Sequence, residues 1–223
     1  MSEKNNSLSE EELTTYRLQM VESQIVRRDV KDKVVLEAMR TIPRHLFVPP
    51  HYLPSAYDDG PLPIGYEQTI SQPYVVASMT EELKLTPHSR VLEIGTGCGY
   101  QTAVLAEIAH DVCTIEIIPQ LAESARKLLD SLGYKNIHFQ TGDGSQGWPD
   151  KAPFDGIIVT AAARQIPDTL IAQLKYGGRM VIPVERGYYG SQDLILVVKD
   201  IDSLKETNLY PVRFVNMQGK SKE

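Results

Sequence analysis

The stretch Val91-Leu92-Glu93-Ile94-Gly95-Thr96-Gly97-Cys98-Gly99 decides the fold of this chain of 223 residues. Its first four residues predict a short buried strand. Three glycines at alternate positions follow, and from Tyr100 onward the apolar residues have helical spacing. A strand, a glycine turn and a helix form the first half of a βαβ unit, where a nucleotide-like ligand lies over the helix N-terminus. The glycines allow the backbone to approach a ligand where a Cβ atom would collide.

Two acidic residues indicate which ligand this turn could hold. A dinucleotide fingerprint is G-x-G-x-x-G, whereas this chain has Gly95-x-Gly97-x-Gly99 with Glu93 ahead of it. A second acid, Glu116, ends the next apolar run, and a carboxylate there can accept hydrogen bonds from both ribose hydroxyls. S-adenosyl-L-methionine (SAM) has a ribose, an ammonium group and a sulfonium but no phosphate, so it fits. A glycine-rich turn without a ligand remains the alternative.

Length and composition are those of a single globular domain. The chain can bury a full core, and its apolar and charged contents, 42% and 23%, are ordinary. A net charge of −6 argues against nucleic acid or an anionic membrane as a partner. No apolar stretch approaches the roughly 20 residues that span a bilayer. We therefore expect one domain, residues 1–223, and a monomer.

Cysteine usage and the N-terminus indicate the compartment. Cys98 and Cys113 fit no metal-binding or redox spacing, so we expect no metal. The first residues are polar and lack the apolar core of a signal peptide. The chain is therefore predicted to be cytoplasmic.

The N-terminal third is predicted to form a cap of helices and loops, residues 1–73, beside an α/β core, residues 74–223. Residues 1–8 are expected to be a frayed tail. Ser9-x-x-Glu12 predicts a capping box, and the helix after it should turn inward Leu13, Tyr16, Met20 and Val21. A second helix, roughly residues 33–40, should turn inward Val34, Val35, Ala38 and Met39.

The segment from Pro43 to Pro73 contains too much proline for a long helix: Pro43, Pro49, Pro50, Pro54, Pro61, Pro63 and Pro73. So long a segment without regular structure is usually functional. Pro73 is expected to open a helix, which places Ser71 just outside a helix N-terminus. Spacing alone leaves two roles open for Ser71, a capping hydroxyl or a ligand contact.

Strands and helices alternate regularly after the first strand, which predicts a doubly wound, mostly parallel sheet. Strands are expected near residues 112–115, 137–140, 156–160 and 179–184, with helices at 119–132 and near 168–174. Two further β-rich runs, 194–198 and 212–215, lack a helix between them and predict an antiparallel C-terminal edge. Asp143 follows the third strand and could accept from an exocyclic amine of adenine, or could form only an Asx-turn.

These residues together resemble the protein-L-isoaspartate O-methyltransferases, over nearly everything from Tyr16 to Val215. The resemblance rests on separate stretches: Pro43-Arg44-His45-Leu46-Phe47-Val48-Pro49, Pro63-Ile64-Gly65, Gln68-Thr69-Ile70-Ser71-Gln72-Pro73, Val91 to Gly99, Thr141-Gly142-Asp143-Gly144, Phe154-Asp155 through Ala161-Ala162-Ala163, and Leu174-Lys175-Tyr176-Gly177-Gly178-Arg179.

The resemblance implies a Rossmann-like, SAM-dependent fold and a substrate, an isoaspartyl residue of a damaged protein or peptide that is methylated on its α-carboxyl group. It implies that Ser71 is the active-site serine and that the 61–71 loop covers the substrate. It also implies that the SAM pocket is lined by Ile70, Glu93, Gly95, Thr96, Gly97, Glu116, Ile117, Asp143 and Gly144. Methyl transfer would leave S-adenosyl-L-homocysteine.

Two departures from the family pattern and two rival functions accompany this interpretation. Asn216-Met217 replaces a frequent Pro-Leu, which could alter the floor of the substrate site, and Cys98 stands where serine is frequent. Cys98 near a helix N-terminus could also be a thiol of lowered pKa. The rival functions are an NAD-dependent dehydrogenase, which the glycine spacing disfavours, and an inactive interaction module.

Overall fold

The computed structural model describes residues 8–186 and 190–219. The predicted N-terminal tail lies outside these residues except for Leu8, which packs against the core. Six α-helices are described: α1 (Glu10–Met20), α2 (Lys33–Thr41), α3 (Pro73–Glu82), α4 (Tyr100–Ile108), α5 (Pro119–Ser131) and α6 (Asp168–Gln173). The described strands are β1 (Leu62–Gly65), β2 (Gln68–Ile70), β3 (Arg90–Ile94), β4 (Asp111–Glu116), β5 (Ile137–Thr141), β6 (Phe154–Val159), β7 (Leu174–Glu185), β8 (Gln192–Lys199) and β9 (Leu204–Val212).

A seven-stranded sheet with the order β5-β4-β3-β6-β7-β8-β9 organises the molecule. Five adjacent strands, β5, β4, β3, β6 and β7, are parallel to one another, β8 runs antiparallel to β7, and β9 runs antiparallel to β8. The α/β prediction with an antiparallel C-terminal edge is therefore confirmed. The strand order reverses between β3 and β6, and ligands of such sheets bind at this point, outside the carboxyl ends of the strands.

The C-terminal half of the sheet differs from the sequence-based boundaries in two places. The last strand is β9, Leu204–Val212, so the predicted strand at 212–215 is wrong. The edge strand β9 is mostly exposed and carries little apolar periodicity, whereas three of the four residues 212–215 are apolar. Strand β7 begins directly after α6 and continues through Gly177, whose positive φ of 77° accommodates an irregularity opposite Phe154 and Gly156. The two glycines at 177 and 178 therefore bend this strand, which begins at Leu174 and not at the predicted residue 179.

The N-terminal helices pack on α3 and α4 to form one apolar cluster with them. The capping box of Ser9 and Glu12 is confirmed, and α1 continues into a π-helical turn, Val21–Ile25. Two of the predicted inward residues are wrong, because Tyr16 is 42% exposed and Val34 is 47% exposed. The others lie in the core: Leu13, Met20, Val21, Val35, Ala38 and Met39.

The proline-rich segment forms no α-helix, as expected, but it is not without regular structure. It holds two 3₁₀ turns, Arg44–Phe47 and Pro50–Ser55, and then the antiparallel hairpin of β1 and β2. The hairpin lies against the glycine loop, because a Cβ atom at Gly97 would be 3.4 Å from Cδ1 of Ile64. The segment thus extends from the helical cap to the carboxyl edge of the sheet.

Candidate active site

The glycine loop after β3 requires glycine for both conformation and space. Gly95, Gly97 and Gly99 have φ values of 96°, 56° and 90°, which L side chains rarely adopt. A Cβ atom at Gly95 would also overlap the hydroxyl of Thr160. That hydroxyl donates to the carbonyl oxygens of Gly95, at 2.7 Å, and Ile94, at 3.0 Å. The loop is therefore held tightly against the end of β6.

Glu116 joins this loop to the end of β4. Its side chain lies at the last position of β4, and the residue is only 5% exposed. One carboxylate oxygen accepts from the Gly97 amide at 2.8 Å, and the other accepts from the Ile118 amide at 2.9 Å. A carboxylate has about four lone-pair sites, so each oxygen keeps capacity for one more donor.

A cavity, here called the inner cavity, opens where the strand order reverses. Eight of the residues singled out from the sequence line it: Ile70, Ser71, Gly95, Thr96, Gly97, Glu116, Ile117 and Gly144. A side chain at Gly144 would overlap Cγ2 of Ile94. The inner cavity therefore lies where ligands of such sheets bind.

A second cavity, here called the outer cavity, adjoins the first. Its walls include Arg28, Pro61, Tyr74, Tyr210 and Phe214. The two cavities share four lining residues: Thr69, Ser71, Thr160 and Val215. Ser71 therefore lies at the junction between them.

Ser71 does not cap the helix that follows it. The N-cap of α3 is Gln72, and no side-chain hydrogen bond caps this helix. The carbonyl oxygen of Ser71 instead accepts from Nη2 of Arg44 at 2.8 Å. The capping role that spacing left open is therefore not used here.

Glu93 lies beneath the glycine loop and not among the residues that line the inner cavity. Its side chain is fully buried, and one oxygen accepts from the hydroxyls of Thr102 at 2.6 Å and Thr114 at 2.7 Å. Burial raises the pKa of Glu93 to about 8, and the neighbouring Glu116 carboxylate adds to this. Thr114 also bonds to Thr96, at 2.6 Å, so Glu93 supports the cavity from below.

Asp143 forms the Asx-turn that the sequence left open as one of its two roles. Its Oδ1 accepts from the amide of Ser145 at 3.0 Å and from the hydroxyl of Ser145 at 2.8 Å. Its neighbour Gly144 lines the inner cavity, whereas Asp143 is not among the lining residues. The turn places the carboxylate at the carboxyl edge of the sheet, beyond β5.

Sequence reasoning missed part of the cavity wall. Thr160 and the segment 215–218 line the inner cavity, although no motif drew attention to them as ligand contacts. The amide of Ala162 donates to Val215, and its carbonyl accepts from Met217, both at 2.8 Å. The departure from the family pattern at Asn216 and Met217 lies within this wall and was the one available indication.

Cys98 does not have the lowered pKa considered from the sequence. Burial raises the pKa of its thiol to about 11, so that interpretation is wrong. Within residues 8–186 and 190–219, no three metal-ligating side chains come together. None of the helices in that part of the chain is both long and apolar enough to cross a membrane.

The sheet order, the glycine loop and an acid at the end of the next strand define a class. They are the features of a Rossmann-like, SAM-dependent methyltransferase, whose cofactor lies across the reversal point of the sheet.

Comparison with known sequences identifies the family. A profile described as protein-L-isoaspartate(D-aspartate) O-methyltransferase (PCMT) matches residues 16–222. The protein-L-isoaspartate O-methyltransferase 1 of Syntrophobacter fumaroxidans is 54% identical over 204 residues, 92% of this chain and 94% of that protein. A protein-L-isoaspartate O-methyltransferase of Picosynechococcus is 54% identical over 92% of this chain and 91% of its own. This chain belongs to the protein-L-isoaspartate O-methyltransferase family.

Solved structures agree with this assignment. One named protein-L-isoaspartate O-methyltransferase superposes with a TM-score of 0.83 at 30% identity, over 92% of this chain and 66% of that chain. A putative member from Plasmodium falciparum, in complex with S-adenosyl-L-homocysteine, has the same fold, with a TM-score of 0.78 at 24% identity over 91% of this chain and 98% of that one.

Family membership gives the reaction. The chain is an enzyme that transfers a methyl group from SAM to the α-carboxyl group of L-isoaspartyl residues, which starts their repair to aspartyl residues. The dehydrogenase alternative is therefore wrong.

Proposed function

We propose that Ser71 orients the α-carboxylate of the isoaspartyl residue at the junction of the two cavities. The observation that carries this proposal is that Ser71 lines both cavities. A hydroxyl can donate to one carboxylate oxygen without taking a proton. The inner cavity would then hold SAM and the outer cavity the peptide, with the reacting groups meeting beside Ser71.

The residues of the inner cavity fit SAM. The positive-φ backbone at Gly95 and Gly97 leaves a surface without side chains, and Glu116 keeps acceptor capacity for two ribose hydroxyls. Ile70, Thr96, Ile117 and Gly144 complete the proposed pocket. Glu93 would support this pocket from beneath. Asp143 would lie at the end of the pocket that holds adenine, where the Asx-turn fixes the Asp143 carboxylate.

The chemistry requires no catalytic base. The nucleophile is a carboxylate, which is ionised at neutral pH. SAM supplies an activated methyl group on its sulfonium. The protein's own contribution is alignment of the carboxylate and exclusion of water around it, both of which accelerate such a transfer. A fixed hydroxyl at Ser71 suits this task.

The hairpin of β1 and β2 is the proposed cover of the substrate. Pro61, Thr69 and Ser71 line the outer cavity, so the two ends of segment 61–71 form part of one wall. The wall would admit the longer backbone of an isoaspartyl residue and hold the carboxylate of a normal aspartyl peptide out of reach.

The remaining proposals concern the whole molecule. The cap, residues 1–73, shares one apolar cluster with α3 and α4, which supports a single functional domain, 1–223. The net charge of −6 and the two free cysteines support a cytoplasmic monomer that acts on isoaspartyl proteins and peptides and binds neither nucleic acid nor membrane. Size-exclusion chromatography with light scattering tests the monomer.

Ser71→Ala tests the central proposal on a pair of peptides that differ only in an isoaspartyl or an aspartyl residue. The wild type should methylate only the isoaspartyl peptide. In Ser71→Ala, turnover should fall about ten-fold or more, which corresponds to about 1.4 kcal/mol. SAM affinity should stay within about three-fold, because the carboxylate belongs to the other substrate.

The matched control is Ser131→Ala, which removes an exposed hydroxyl that donates to the Leu128 carbonyl at the end of α5. Its turnover should equal that of the wild type. Normal turnover by folded Ser71→Ala would contradict the proposed role of Ser71. Equal methylation of both peptides by the wild type would contradict the proposed discrimination.

A further inference from the structure

Arg44 is a fully buried arginine next to the proposed carboxylate site. It opens the 3₁₀ turn Arg44–Phe47 and is 0% exposed. Its Nε donates to the carbonyl oxygen of Ala56 at 2.9 Å, and its Nη2 donates to the carbonyl oxygen of Ser71 at 2.8 Å. The guanidinium lies over the ring of Tyr100, 4.8 Å from its centre.

No carboxylate balances this charge among the residues that the structure describes. Other arginines of the chain, such as Arg90 and Arg179, pair with Asp111 and Glu82. Arg44 instead contacts two carbonyl oxygens and Tyr100, and its Nη1 is buried without a hydrogen-bond partner in the described structure. A buried charge without an opposite charge is costly in free energy. An arginine kept in this state calls for a role beyond stability.

The contacts of Arg44 connect the two proposed binding sites. Ser71 lies at the junction of the inner and outer cavities, and Tyr100 is the first residue of α4, directly after the glycine loop. Tyr100 also lines the inner cavity. One planar guanidinium, whose donors have a fixed geometry, therefore holds the main chain of Ser71 at a set distance from the glycine loop.

We propose that Arg44 is a positioning residue that fixes the Ser71 main chain, and with it the Ser71 hydroxyl, at the junction of the two cavities. This inference rests on the proposed role of Ser71. The effect of Arg44 on turnover should then pass through Ser71.

A double-mutant cycle with Ser71→Ala tests the inference. The variants are Arg44→Lys, Arg44→Met, Ser71→Ala and each Arg44 variant combined with Ser71→Ala. Arg44→Lys keeps the charge and most of the aliphatic stem, so it carries the test if Arg44→Met does not fold. Arg40→Lys is the control, since Arg40 pairs with Glu22 at 2.8 Å and lies outside both cavities.

We expect kcat of folded Arg44→Lys to fall about ten-fold, and that of Arg44→Met to fall further, with SAM affinity within about three-fold of wild type. Arg40→Lys should behave as wild type. Each double variant should be within about three-fold of Ser71→Ala alone, because residues that act as a unit are not additive. A merely structural effect would multiply with that of Ser71→Ala.

Two results would overturn the inference: wild-type kcat in folded Arg44→Lys, or losses that multiply in the double variants. Failure of the proposed function looks different. Normal turnover by Ser71→Ala would contradict the proposed role of Ser71. Slow turnover by Ser71→Ala together with normal turnover by Arg44→Lys would contradict only the role of Arg44.

Discussion

The carboxylate of Glu116 accepts a hydrogen bond of 2.8 Å from the main-chain amide of Gly97. This bond joins the end of β4 to the glycine loop that follows β3. The other carboxylate oxygen is held by the amide of Ile118 at 2.9 Å. The carboxylate is therefore fixed in orientation before any ligand arrives, which lowers the entropy cost of binding a ribose.

Glu116→Gln should weaken SAM binding by roughly 1–3 kcal/mol, the scale of a lost charge-assisted hydrogen bond. The NH2 group that replaces one carboxylate oxygen in this variant cannot accept a hydrogen bond. At that position the side chain would therefore lose both the main-chain amide and the ribose hydroxyl as donors. Isothermal titration calorimetry measures the loss. Glu123→Gln, an exposed acid of α5 that pairs with Lys127, is the control and should bind SAM normally. Unchanged affinity in Glu116→Gln would show that Glu116 does not hold the ribose.

Gly95→Ala should reduce both stability and SAM affinity more than Gly133→Ala. The two glycines have nearly the same φ, 96° and 93°, so alanine pays the same conformational strain at each. Only at Gly95 would the new methyl group meet a neighbour, Thr160, whereas nothing lies within 4 Å at Gly133. The left-handed region costs roughly 1–2 kcal/mol in both variants, and an overpacked site adds about 1–3 kcal/mol in Gly95→Ala.

Urea unfolding and SAM titration on the two variants separate these costs. Gly133→Ala should lose stability only, with SAM affinity unchanged. If Gly95→Ala and Gly133→Ala lose equal stability and both bind SAM normally, the contact between Gly95 and Thr160 is not part of the pocket.

Glu93 should make the stability of the ligand-free protein depend on pH. Burial raises its pKa from the ordinary 4.5 to about 8. Below pH 4.5 both states hold the proton, and this part of the stability is fully present. Between pH 4.5 and 8 the unfolded chain releases the proton and the folded protein keeps it, so stability falls by up to about 1.4 kcal/mol per pH unit.

Glu93→Gln removes this titration while keeping the shape of the side chain. The stability of the variant relative to wild type should therefore rise by roughly 1–3 kcal/mol between about pH 5.5 and pH 8, measured by urea unfolding. Comparing the two proteins at each pH cancels the other titrating groups. A constant difference over this range would mean that Glu93 ionises near its ordinary pKa in the folded protein.

The α/β core could be predicted because its signals are local. The glycine turn before Tyr100 and the proline at the start of α5 mark element boundaries with backbone chemistry alone. The position of Glu93 could not be predicted in the same way. Both faces of a parallel sheet are buried, so the sequence does not say which face the side chain of Glu93 occupies.

Contacts between distant segments account for the rest of what the sequence could not show. The bond from Arg44 to Ser71 spans 27 positions, and the bridge from Ala162 to Asn216 spans still more. Neither has a periodic or spacing signature. The position of the edge strand β9 was predicted wrongly for a related reason. Its residues form a strand because they pair with β8, and most of them are exposed and show no apolar pattern of their own.

The departure from the family pattern at Asn216 can be interpreted from the same bridge. Ala162 pairs in parallel with Asn216, and the bonds run from the Ala162 amide to Val215 and from the Met217 amide to Ala162. In this register the amide of residue 216 takes no part. A proline, which lacks this donor, is compatible with the bridge, as the frequent Pro-Leu of the family would require.

Asn216→Pro should therefore change stability by less than about 1 kcal/mol and leave SAM affinity and turnover within about three-fold. The substitution removes one side-chain hydrogen bond, in which Oδ1 of Asn216 accepts from Nε2 of Gln192 at 3.3 Å. This hydrogen bond is long, and the same Gln192 nitrogen also donates to the Phe214 carbonyl. Met217→Pro is the contrasting variant, because it removes the amide that donates to Ala162 at 2.8 Å and a side chain that is 6% exposed. Truncating a buried methionine alone costs about 2–5 kcal/mol, so Met217→Pro should melt early and bind SAM weakly. Equal behaviour of the two variants in melting and SAM titration would show that the bridge does not hold this wall of the inner cavity.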